Sequence, residues 1–81
     1  MDRYFRTTNF ALALFLYTKD QQIAGVTPVN NNQKEFSFLT SPYLEELVDL
    51  YKFGDRSDDR LLVEVHKYEQ GRRDLLDRLN D

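Results

Sequence analysis

The single histidine, His66, has Glu69 three positions after it. On a helix that spacing places both side chains on adjacent turns of one face, where they can touch one metal ion. Zinc sites need three or four protein ligands, and the sequence has no second histidine and no cysteine. The pair reads as solvated surface, and no metal or cofactor is expected. Nucleophilic catalysis needs a hydroxyl beside a base and an orienting group. Ser37 falls in a predicted strand, Ser41 just before a predicted helix and Ser57 in a charged run, and none belongs to a Gly-x-Ser-x-Gly elbow. The 3 glycines, Gly25, Gly54 and Gly71, lie too far apart to cradle a phosphate. The carboxylate neighbours Glu45-Glu46 and Asp58-Asp59 stand at a helix start and in a loop, where nothing buries them enough to raise a pKa. The expectation is a protein that is not an enzyme.

Binding chemistry has more to work with. Arg56, Arg60, Lys67, Arg72, Arg73 and Arg78 concentrate in the last third of the chain. Such residues on a helix flank can follow a line of phosphates. Yet 11 Lys and Arg face 14 Asp and Glu, for a net charge of −3, and nonspecific nucleic-acid affinity comes mostly from phosphate neutralisation. Glu69–Arg73, Arg73–Asp77 and Asp74–Arg78 are moreover spaced as i,i+4 ion pairs. A solvated, ion-paired face is the first expectation, and a nucleic-acid-binding accessory factor using those six residues is the alternative. Phe36-Ser37-Phe38 matches the strand aromatics on which RNA-binding sheets stack bases. It equally matches a strand that turns two rings into a core, and the core is expected to claim them.

The elements that position these residues follow from pattern. At 81 residues the chain is one domain, and a domain this small buries only roughly 60–65% of its unfolded-chain surface. A hydrophobic content of 41% with 14% aromatics argues for folding rather than disorder. The spacing predicts a first helix over about Asn9 to Lys19, capped by Thr7 or Thr8 and apolar on every side from Phe10 to Tyr17. A β-hairpin follows, with strands Gln22–Thr27 and Lys34–Leu39 joined through Pro28–Gln33; its asparagines tolerate left-handed backbone angles. Ser41 caps a second helix with Pro42 at its first position, Glu45 and Glu46 near its positive end, and Gly54 after its last turn. Leu61-Leu62-Val63 reads as a possible short third strand. The last helix, about Val65 to Leu79, shows a buried stripe of Tyr68, Leu75 and Leu79 with Leu76 beside it, and Gly71 marks close packing. The fold class is α+β: helix, antiparallel hairpin, helix, possible short strand and C-terminal helix, with helices covering a small sheet.

Tyr4-Phe5-Arg6-Thr7-Thr8-Asn9-Phe10, continuing to Phe15-Leu16, resembles a family of small bacterial domains of unknown function that open with Phe-Arg-Thr-Ser/Thr-Asp-Phe and a Leu-Ala-x-Phe-Leu helix. The similarity extends through Gly25-Val26, Phe36-Ser37-Phe38 and Ser41-Pro42-x-Leu44-Glu45-Glu46-Leu47, covering nearly the whole chain, mostly at core and cap positions. It fades after Val63, where the family tends to Val-Asp-Pro and then an aromatic, and this chain has Val63-Glu64-Val65 and Tyr68. Asn9 stands for the family's aspartate, and Lys19-Asp20 for a common lysine-glycine ending. The resemblance implies a bacterial setting associated with mobile elements and names no activity.

The absence of cysteine favours a reducing compartment. The apolar run Phe10–Tyr17 is shorter than the roughly 20 residues of a membrane span. With no targeting signal visible, the expectation is a cytoplasmic protein that does not engage membranes. The first expectation for function is a non-enzymatic interaction protein, binding an unidentified protein partner or itself as a homodimer. An inhibitory or regulatory role toward a host system accompanies the mobile-element resemblance. The predicted contact residues are Leu12 and Leu16, as solvent-facing members of the first helix, and the hairpin tip Asn30, Asn31, Asn32 and Gln33.

Overall fold

Asn9 decides where the first helix begins. In the computed structural model, which describes residues 3–80, its side chain accepts the backbone N–H of Leu12 at 3.1 Å. Helix α1 therefore spans Phe10–Thr18. The cap lies past the expected Thr7 or Thr8 because Thr7 ends a strand, β1 (Tyr4–Thr7), that the sequence pattern did not reveal. Thr7 Oγ1 accepts the N–H of Asn9 instead. At the other end the N–H of Asp20 donates to Tyr17 C=O and that of Gln21 to Leu16 C=O, the paired bonds that close a helix through a left-handed residue. Asp20 takes that position with φ 65°, where glycine is the unstrained choice. Leu12 through Leu16 are all buried, so α1 is enclosed within one chain.

The sheet has three antiparallel strands in the order β1-β3-β2, with β2 at Ile23–Asn30 and β3 at Gln33–Leu39. The hairpin turn is two residues, Asn31-Asn32, rather than the longer link expected. Neither asparagine uses the left-handed region, which Asp20 alone of the described non-glycine residues enters. Phe36 and Phe38 are buried against α1, so their rings are closed to base stacking. Tyr4, Arg6, Ser37 and Thr27 lie on the opposite face, which no helix covers.

The third strand is thus N-terminal, and Leu61-Leu62-Val63 is not one. Asp58 accepts the N–H of Arg60 and starts a single 3-10 turn at Asp59–Leu61. Lys19 Nζ then donates to Leu62 C=O at 2.7 Å, fixing the segment across the end of α1.

Helix α2 spans Pro42–Phe53, with Ser41 Oγ accepting the N–H of Leu44. Helix α3 spans Val65–Leu79 and is capped by the Glu64 carboxylate, which accepts the N–H groups of His66 and Lys67. Both pack on α1. On α3 the buried residues are Gly71 and Leu75, whereas Tyr68, placed in the stripe by spacing, is 46% exposed. Gly71 packs closely on α1: a Cβ there would stand 3.2 Å from Thr18 Cγ2 and Tyr17 Cδ2. No helix of the described residues is long and apolar enough to cross a membrane.

The α1–α3 contact gives a direct test. Gly71→Ala gains about 1 kcal/mol of helix propensity that the crowding offsets, so urea unfolding should show nearly unchanged stability. Gly71→Val, which adds bulk against buried side chains, should cost about 2 kcal/mol.

Candidate interaction surfaces

The structure separates the expected contact residues into two groups. Leu12 and Leu16 are 2% and 0% exposed, so neither can meet a partner; α2, α3 and the sheet already cover the helix that carries them. The hairpin tip, Asn30, Asn31, Asn32 and Gln33, is exposed throughout. Part of its polar surface serves its own turn: Asn32 N–H donates to Asn30 Oδ1, and Asn30 Nδ2 to Gln33 Oε1.

The six basic residues do not converge on one face. Arg60 is committed to Asp58 through two parallel bonds, Nε to Oδ1 at 3.1 Å and Nη2 to Oδ2 at 2.8 Å. Lys67 pairs with Asp20 at 2.8 Å. The i,i+4 pairs expected along α3 are not among the ion pairs of the described residues; of their members, Asp74 is engaged by Tyr17 and Gln70 instead. At about 100° per residue, Arg73 points nearly opposite the buried Leu75, and Arg72 and Arg78 fall on opposite flanks of it. Arg56 is exposed in the loop before the 3-10 turn.

Asp74 belongs to a polar cleft of about 310 Å³ between the end of α1 and α3. Tyr17 Oη donates to Asp74 Oδ2 at 2.9 Å and Gln70 Nε2 donates to Oδ1 at 2.9 Å. The bond to Asp74, reinforced by burial, raises the Tyr17 pKa, so the phenol stays protonated as a donor. Positions 17 and 74 are too distant in sequence for spacing to have joined them. His66 and Glu69 remain exposed on α3, and no three His, Asp or Glu side chains of the described residues gather to hold a metal.

A second feature missed by pattern lies at the sheet edge. Thr40 N–H donates to Arg3 C=O at 2.9 Å, which makes these residues a hydrogen-bonded pair. Such pairs alternate along an antiparallel ladder, so Phe5↔Phe38 and Thr7↔Phe36 are bonded pairs as well. Tyr4 and Arg6 must then aim their N–H and C=O groups away from β3. These four groups have no backbone partner among the described residues. Beside them runs a groove of about 250 Å³, lined by Tyr4, Phe5, Thr40, Leu44, Glu45, Val48 and Asp49.

The opposite edge is different. β2 carries Pro28 and register breaks at Ile23/Gly25 and Pro28/Asn30, devices that discourage strand addition. β1 pairs in unbroken register. An apolar hollow also opens where Leu62 and Tyr68 flank Phe15 and Tyr51.

Compared with family models, curated proteins and solved structures, the chain matches none.

The Asp58–Arg60 pair carries a pH signature. Its bonds from the Arg60 side chain and backbone N–H lower the Asp58 pKa from 3.8 to about 2. A depressed carboxylate contributes stability that is complete above its unfolded pKa and disappears as pH falls through the folded one. Carboxyl-carbon NMR should place the Asp58 midpoint near 2, and Arg60→Ala should return it part of the way to the ordinary value, since the backbone N–H bond from position 60 remains.

Proposed function

We propose that this domain is a non-enzymatic interaction protein that takes a protein partner along the free edge of β1. The observation that carries this reading is the outward set of N–H and C=O groups on Tyr4 and Arg6, standing over a partly apolar groove. An extended segment laid there satisfies the backbone groups and gains affinity from them, while side chains entering the groove supply selectivity. The inhibitory or regulatory role suggested by the sequence resemblance fits a domain that acts by occupying a partner's extended segment.

Arg6→Pro tests the reading with little disturbance to the fold. The Arg6 N–H faces outward, so proline removes a donor that β3 does not use, and edge positions tolerate it. Random displayed peptides selected on the wild-type domain should bind Arg6→Pro about tenfold more weakly or worse, since both a bond and the approach of the strand are lost. A selection without binders, or binders indifferent to Arg6→Pro, would overturn the edge reading.

The nucleic-acid alternative has one observation in its favour: Arg72 and Arg73 are exposed and form no ion pair with the described residues. Adjacent helix residues point about 100° apart, so these two do not present a common face. Salt-sensitive binding to short duplexes or single strands, abolished by Arg72→Glu with Arg73→Glu, would support it.

A further inference from the structure

Resting on the edge reading, the chemistry of the groove identifies the kind of segment that fits. Two rows of side chains run along α2. Leu44 and Val48 are buried and form the floor together with Phe5. One position on from each, Glu45 and Asp49 are exposed and form the rim. Both rows repeat at i,i+4, a rise of about 6 Å along the helix. Alternate side chains on one face of a strand stand about 6.8 Å apart, so two successive groove-facing side chains of an added strand match the two carboxylates in spacing.

Those carboxylates are available. Neither Glu45 nor Asp49 forms an ion pair with the described residues, Arg3 included. Arg6 is turned to the open face of the sheet, where its Nε lies 3.9 Å from Glu35 Oε1. An apolar floor beneath an acidic rim suits lysine and arginine, whose aliphatic stems lie on hydrocarbon while the charged head reaches outward. We propose that the groove between β1 and α2 binds an extended peptide segment with lysine or arginine at alternate positions, added as a fourth strand bonded to Tyr4 and Arg6.

A second copy of the chain is a poorer occupant. Antiparallel β1–β1 pairing relates the copies by a two-fold axis normal to the sheet, with both α2 helices on the same side of it. Both acidic rims then flank the axis, and like charges brought together oppose association. A basic segment meets the same rim with opposite charge.

The test uses the ¹⁵N-labelled domain and two capped heptapeptides, one alternating lysine with valine and the other glutamate with valine. The lysine peptide should shift the resonances of β1 and of Leu44 to Asp49, and should slow solvent exchange of the Tyr4 and Arg6 amides. Its Kd should rise about tenfold in Glu45→Lys/Asp49→Lys, which should now favour the glutamate peptide; Asp49→Lys alone should show a smaller change in the same direction. Slowed exchange with the glutamate peptide alone, or equally with both, would overturn the basic specificity and leave the edge reading standing. No slowing with either peptide would overturn the proposal, whereas the edge reading as such falls only if the Arg6→Pro selection fails.

Discussion

One helix sets the terms for the whole molecule. α1 is apolar around its full circumference, and it must be enclosed on every side to be stable. In a chain of 81 residues, that enclosure occupies most of the available structure. Phe36 and Phe38 of the sheet cover one side, and α2 and α3 pack against others. The interior is continuous from Phe5 on β1 to Leu75 on α3. The approach at Gly71 shows how tightly the wrapping closes, with α3 dispensing with a side chain to bring its axis in.

What the enclosure leaves uncovered is where function has to be sought. All three helices serve one side of the sheet, so its other side stays open. No fourth strand among the described residues completes β1, and α2 sits close enough to form a wall beside that edge. The polar residues the core rejects are not spread evenly. Glu45 and Asp49 fall on the groove side of α2, while Arg60 is held by Asp58 and Lys67 by Asp20. The result is an edge with outward-facing backbone groups beside an acidic rim, the combination on which the proposed strand capture rests.

The three helices and the hairpin were legible because their signals are local. Ser41 with Pro42, the i,i+4 spacing of Leu75 and Leu79 on α3, and the Phe36–Phe38 alternation each act within a few residues. β1 was not legible: four residues that include Arg6 are too few to establish alternation, and the strand exists because β3 has an edge to offer it. Leu61-Leu62-Val63 was misread because an apolar run of three has no intrinsic preference for strand, and Asp58 turns the chain there first. Leu12 and Leu16 show the limit of reading exposure from pattern. A helix apolar on all sides looks the same whether its last face meets a partner or its own chain, and here its own chain covers it. The edge groove was illegible for a related reason, since it joins Tyr4 to Asp49 through strand order rather than through spacing.

The central claim is that β1 presents an unoccupied edge in the isolated domain. Amide hydrogen exchange measured residue by residue tests it directly, because bonded and unbonded N–H groups alternate along this strand. Phe5 and Thr7 should exchange slowly and Tyr4 and Arg6 rapidly, at a concentration series spanning the range in which small domains self-associate. Slow exchange at Tyr4 and Arg6 would contradict the account, since it would mean that the edge is already paired.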